Sequence, residues 1–356
     1  MTKHGLWLAA ATLIASAGVH AAPSEETWAK LNTAIIDNHV LPRYAKLAEE
    51  AKHLQTATNT LCQSPFSQDN LDEAHDAFED AMEAWQGVQH IQFGPITLLM
   101  RNFSLEYWPD KKNIGGRQLK AALSEPDAQY DTEFFHAASV SLKGFPAIER
   151  LLFSKTAATE LNPDTPHCRL AQGIANNIVW SVASVHDEWD TEAQHMAEVG
   201  EEEYYETHKD AATAFMKSLV EPFELIRDTK LLTPIADAPE KSRWRRSESW
   251  RSGLSIENIE SNVDALHELY SDTGAVSVKS IFIDEGQKEM ADRIDAEFDA
   301  VLEKIDALEE PNEQVSAEQY AAIKEVTDSL KQIQIDLDDG MKLLDVQLGF
   351  NSRDGD

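Results

Sequence analysis

Positive charge is scarce in this sequence. Its 31 lysines and arginines face 63 aspartates and glutamates, leaving a formal net charge of −32 over 356 residues. Nucleic-acid binding needs a basic surface, so no nucleic-acid partner is expected. Acidity on this scale serves solubility first and attraction of cations second. Cysteine is scarcer still, with only Cys62 and Cys168. Neither belongs to a CxxC string, so a dithiol redox centre or a cysteine-held structural zinc has no support. The strings HExxH, GxSxG, GxGxxG and the P-loop are all missing. Their absence removes the helical zinc-protease arrangement, the nucleophile elbow and the glycine-rich nucleotide cradles. His267-Glu268 opens a zinc-type string, but no histidine follows at the required position. Strand-like alternation is also absent, apart from one short extended candidate at Ala275 to Ile283.

One apolar run does exist, at the N-terminus. Lys3 and His4 form a short polar start, Leu6 to Ala17 an apolar stretch of leader length, and Val19-His20-Ala21 a small-x-small cleavage pattern. Residues 1–21 therefore read as a signal peptide cut after Ala21, with Ala22 the next choice. An uncleaved anchor is the alternative. No cysteine follows the apolar run, which argues against a lipoprotein. No later stretch is apolar enough to cross a bilayer, so the mature chain is expected not to span the membrane. Cleavage removes Lys3 and no acid, making the mature protein slightly more acidic. Export to the periplasm or cell envelope would place Cys62 and Cys168 in an oxidising compartment. A disulfide between them would close a loop of about a hundred residues, worth up to ~4–5 kcal/mol in the chain-entropy model. Two separate buried thiols are the alternative.

The remaining chain is too long for one simple core, and its periodicity is helical. Trp28, Leu31, Ile35, Val40, Tyr44, Leu47, Ala51 and Leu54 form one stripe, with Pro42 expected to kink or break it. Leu71, Ala74, Phe78, Met82 and Trp85 form a second, with Asp69 or Asn70 as its cap. Met290 to Leu308 and Ile323 to Leu344 carry two more. These are core faces. Prolines fall mostly in the connectors, as in helical bundles. The expectation is an all-α fold of two packed helical-bundle domains, 22–200 and 201–356. The boundary near residue 200 rests on the charged stretch around Gly200.

Two segments stand out for chemistry. Between Ser139 and Phe153, Gly144 and Pro146 suit a loop entering a helix, and Pro146 suits that helix's first turn. Glu149 would then sit near the helix start, where the macrodipole favours a carboxylate. Read from the residues alone, Glu149 is a capping acid on an ordinary helix ahead of being a site residue. The run from Gln89 to Ile96 ends a helix on Phe93-Gly94-Pro95, and Arg101 and Trp108-Pro109-Asp110 follow. Histidine and carboxylate pairs at helical spacing (His75 and Glu79, His186 and Asp190, His195 and Glu198) are expected by chance in so acidic a chain.

The string Gly144-Phe145-Pro146-Ala147-Ile148-Glu149 resembles the central Gly-x-His-x-x-Glu motif of the imelysin-like family. Four further landmarks occur in order. They are Trp85 with Phe93-Gly94-Pro95, Trp108-Pro109-Asp110, Arg251-Ser252-Gly253-Leu254-Ser255, and the tail from Leu348 to Asp356. The resemblance implies a two-bundle α fold, an exported protein, a link to iron uptake and a site near the motif between the domains. It also implies a choice between an M75-type metallopeptidase and a binding or accessory component. Proline has no ligand atom, and here Pro146 occupies the motif's histidine position, so the peptidase reading is weakened. The favoured expectation is a binding component for iron, another divalent metal or an iron chelate, working with cell-envelope partners. Its candidate site residues are Glu149 (also the metal-ligand candidate), Gly144, Pro146, Arg101, Arg251 and Asp354. A non-catalytic interaction scaffold is the further alternative.

Overall fold

The first apolar stripe builds a long helical rod with one widened turn. In the computed structural model, which describes residues 22–63, 65–125, 128–200 and 204–349, α1 (Glu25–Ile35) runs into α2 (Leu41–Gln63) through a π-helical turn at Ile36–Val40. The expected break at Pro42 does not occur. The turn ahead of the proline widens, so that the Leu41 N–H reaches back to the Ile36 carbonyl and the rod continues. The leader and Asp354 lie outside the described residues.

The remaining elements are also helices. α3 (Gln68–Gln86) is capped by Ser67, whose hydroxyl accepts the Asn70 N–H, so the cap lies two residues before Asp69. Short helices follow: α4 (Arg101–Leu105), α5 (Ile114–Leu123), α6 (Thr132–Ala137), α7 (Phe145–Leu152) and α8 (Ala157–Glu160). The long α9 (Pro166–Ala197) leads to α10 (His208–Val220) and α11 (Pro222–Glu224). A second π-helical stretch, Leu225–Leu232, passes into α12 (Thr233–Ile235). The chain closes with α13 (Ser255–Ser271), α14 (Val278–Asp284), α15 (Lys288–Asp306) and α16 (Ala317–Leu343). Among the described residues there is no strand. The extended candidate at Ala275 to Ile283 is helix from Val278 onward. Ser277 and Ser280 form a reciprocal cap there, and that local hydrogen bonding outweighs the β-branched residues.

The helices pack in two groups. α2 lies against α3 and α9, with α7 wedged on α3 and α9. α13 and α16 flank α15, with α14 beside them. The groups meet where α13 lies on α3, and α16 also lies on the π-helical stretch 225–232. All four stripes point inward, and a single cluster of buried apolar side chains runs through both groups. Burying a leucine or phenylalanine contributes roughly 1.5–3 kcal/mol, so these stripes are the main cohesive term. Phe145 at the start of α7 packs between Phe78 and Trp85 of α3, which fixes the motif helix against the core. No described helix is long and apolar enough to cross a membrane.

Cys62 and Cys168 are joined, with Cα atoms 5.5 Å apart and a sequence separation of 106. The bond ties the end of α2 to the first turn of α9. A Cys62→Ser/Cys168→Ser variant is expected to lose about 2–5 kcal/mol of stability. Urea titration under non-reducing conditions measures this, and an unchanged midpoint would show that packing alone holds the two helices.

The first π-helical turn buries His39 against His90, with Nε2 to Nε2 2.9 Å. Arg43 Nε donates to His39 Nδ1 at 3.4 Å. His39 therefore carries its proton on Nε2 and donates to His90. Both rings are held neutral. Burial is the main cause, aided for each by the Arg43 charge, and the pKa of His90 falls to about 3. Because these pKa values are depressed, the stability they carry is complete above pH 6.5 and is lost as pH falls from there. Each such histidine contributes a slope of about 1.4 kcal/mol per pH unit. Denaturation of the wild type and His90→Gln at pH 7 and 4.5 should show a shallower pH dependence in the variant. Equal slopes would mean that His90 is protonated in the native state.

Candidate functional site

Gly144 begins the site by what it lacks. A Cβ there would fall 2.0 Å from the Leu105 carbonyl oxygen and 2.4 Å from that of Ser104, so only glycine lets α7 start against the end of α4. Pro146 occupies the first turn of α7, as its chemistry suggests. Glu149 lies one turn deeper than the sequence indicates and does not cap the helix. Its carboxylate instead crosses to the loop before α13. Oε1 accepts the N–H groups of Arg251 (3.0 Å) and Ser252 (3.1 Å) and the Ser252 hydroxyl (3.1 Å). The Arg251 guanidinium stands 3.7 Å from Oε2. Burial raises the Glu149 pKa, and the Arg251 charge and these hydrogen bonds oppose the shift. Glu149 thus clamps a loop that turns on two positive φ angles, at Ser249 and Gly253.

A cavity of about 430 Å³ opens between that loop and α7. Pro146, Glu149 and Arg150 line it from α7, and Trp108, Asp110 and Lys111 from the segment before α5. Arg245, Arg246, Trp250 and Arg251 complete the opposite wall. Three expected site residues, Glu149, Pro146 and Arg251, therefore share one cavity. Gly144 supports it from behind. Arg101 is elsewhere, holding Glu188 of α9 through two bonds of 2.6 and 2.7 Å and the Pro95 carbonyl at 3.0 Å.

Behind the cavity lies a charged centre that no local string announces. Lys230, in the second π-helical stretch, is 2 % exposed. Its ammonium donates to Gln86 Oε1 (2.7 Å), Glu248 Oε2 (2.7 Å) and Asn262 Oδ1 (2.6 Å). Glu106 is hydrogen-bonded to Glu248 and accepts from the Trp85 indole and from Gln89. Burial, then the Glu248 charge, pushes Glu106 well above the usual carboxylate range, so it carries a proton. Burial also acts to raise Glu248, but Lys230 and the Glu106 hydrogen bond outweigh it and hold its pKa low. Glu106 and Glu248 both reach the cavity wall.

The chance histidine pairs stay apart from this site. His75 Nε2 donates to the Leu152 carbonyl at 2.9 Å, and the ring stacks on Phe153. His195 stacks on Tyr204. Among the described residues no group of three histidine, cysteine, aspartate or glutamate side chains is placed to hold a metal ion.

The family model of imelysin, designated peptidase M75, matches residues 40–337. The chain belongs to the imelysin family. It is 25 % identical over 288 residues to the "Iron-regulated protein A" of Synechococcus elongatus, covering 78 % of this chain and 75 % of the relative. Its fold is similar to that of an imelysin-like protein from Psychrobacter arcticum, with a TM-score of 0.78 at 18 % identity, covering 92 % of this chain and 98 % of the other. Within the imelysin family this chain is divergent at the motif. Pro146 offers no ligand atom where the motif has histidine, and Glu149 spends Oε1 on three donors while Oε2 faces a cation. These residues do not fit a metal held at the motif.

Lys230→Met is expected to destabilise the fold by about 3–5 kcal/mol, because it strands the Glu248 carboxylate in the interior. Pairing it with Glu248→Gln should recover part of the loss. Thermal or urea denaturation of the single and double variants checks this, and additive losses would show that the two groups do not interact.

Proposed function

We propose that this imelysin-family protein is an exported binding or accessory component linked to iron acquisition, with its ligand site in the Glu149 cavity. The observation that carries the reading is the Glu149 clamp. It holds the loop at Arg251-Ser252 against α7, so that two distant parts of the chain enclose one polar, partly aromatic cavity of a size suited to a small ligand. The iron link comes from the relative named for iron regulation. The periplasmic or cell-envelope location comes from the leader pattern in residues 1–21. No peptidase step follows from the motif, since it supplies neither a metal shell nor a general base with an oxyanion donor.

A deletion strain is expected to grow poorly when iron is limiting and normally when iron is replete. Metal analysis of the protein purified from its own periplasm accompanies the growth test. Normal growth of the deletion strain under iron limitation, together with iron-free protein, would overturn the iron link.

A further inference from the structure

The Glu149 cavity treats its acids and its bases differently. Each carboxylate there already has partners within the chain, with Glu106 Oε1 left as a buried oxygen that receives no donor. Asp110 accepts the N–H groups of Ile114 (2.6 Å) and Gly115 (2.8 Å) at the start of α5. Glu149 accepts three donors from the clamped loop. Glu248 is held by Lys230 and Asn258, and Glu106 is bound to Glu248, Trp85 and Gln89.

Arg245 pairs with Glu313, but the other cations are not satisfied in the same way. A guanidinium offers five N–H donors in a planar fork. Arg150 makes one long contact, 3.5 Å to Asp110, and Arg251 stands 3.7 Å from Glu149. Both side chains are largely buried, 16 % and 24 % exposed. Arg251 lies over the Trp250 ring at 4.2 Å, which fixes the plane of its fork. Burial and the neighbouring Arg150 charge both lower the Arg251 pKa, so the two guanidiniums on this cavity repel each other. The side chains of Arg246 and Lys111, on the same cavity, make no ion pair or hydrogen bond within the described residues. The cleft between α3 and α13 has the opposite character, with Glu79, Glu83, Glu257, Glu260 and Asp264 outnumbering Arg43 and Lys46. In a chain of net charge −32, one cavity with surplus cationic donors is a local reversal of sign.

We propose that the cavity binds a small multivalent oxyanion, of the polycarboxylate kind, through Arg150, Arg251, Arg246 and Lys111. Planar carboxylates match the guanidinium fork bidentately, and the anion would relieve the repulsion between Arg150 and Arg251. Such an anion could enter free or as the shell of a metal ion. The inference rests on the cavity being the ligand site and names the chemistry of what it takes.

Calorimetric titration of the full mature chain tests it, with citrate, tricarballylate, ferric citrate and inorganic phosphate as probes. At least one polycarboxylate is expected to bind, and added salt should weaken the binding. Arg246→Gln and Lys111→Gln should each weaken it about tenfold, with thermal midpoints unchanged because neither side chain has a protein partner. Arg150→Gln should weaken it at least as much. Binding of phosphate with no polycarboxylate would overturn the carboxylate class. No binding of any anion to the folded protein, or affinity untouched by all three substitutions, would overturn the site. The iron link fails separately. Citrate binding with normal growth of the deletion strain under iron limitation leaves the anion site standing and removes the iron reading. A growth defect without anion binding does the reverse.

Discussion

One buried ammonium organises the centre of this molecule. Lys230 reaches the end of α3 through Gln86, the loop before α13 through Glu248, and α13 itself through Asn262. An unpaired charge in the interior is prohibitively unfavourable, so these three segments must converge before Lys230 can be buried. Their convergence places Glu248 beside Glu106 and sets the back wall of the cavity. The π-helical stretch that carries Lys230 contributes to this geometry, since its wider turn shifts the residues that follow relative to a regular helix. The Glu149 clamp then fixes the front wall. Both contacts join the first half of the sequence to the second, and each uses hydrogen bonds whose geometry allows little slack.

Much of the fold was legible because helical periodicity is a local signal. The stripes at Trp28 to Leu54, Leu71 to Trp85 and Ile323 to Leu344 are buried as their spacing indicated. The pairing of Cys62 with Cys168 was also accessible, from count and expected compartment. The departures have local causes of a subtler kind. A wider turn absorbed Pro42, Ser67 captured the cap ahead of Asp69, and a reciprocal serine cap turned Val278 to Ile283 into helix. Hydrophobic spacing does not register any of these.

The site was legible only in part. Gly144, Pro146, Glu149 and Arg251 were found because they lie in short strings with recognisable punctuation. Arg150, beside Glu149, reads in the sequence as an ordinary helix cation. Arg246, Lys111, Glu106, Glu248 and Lys230 carry no local pattern, and their significance arises only when segments more than a hundred positions apart meet. The only available signal was the string Arg243-Trp244-Arg245-Arg246, a basic run in an acidic chain. Arg101 shows the opposite error. It lies near the landmarks in sequence, yet its two terminal guanidinium nitrogens are held by Glu188 and Pro95. The loss of the motif histidine also acquires a physical sense. With proline at that position, the retained glutamate acts on backbone amides of a loop, and positive charge from neighbouring arginines gives the cavity its character.

The bond between Cys62 and Cys168 closes a covalent ring around residues 62–168, and α3, α4, α5 and α7 all lie inside it. One wall of the cavity, from Trp108 through Arg150, therefore belongs to a closed loop, while the Arg245 to Arg251 wall belongs to open chain. A protease that cuts a connector inside the ring produces a nicked molecule that remains in one piece, with the severed ends still tethered. A cut at the connector between α9 and α10 instead separates the chain covalently into two parts. The wall carrying the motif is thereby the one whose loops can suffer cleavage without release of a fragment.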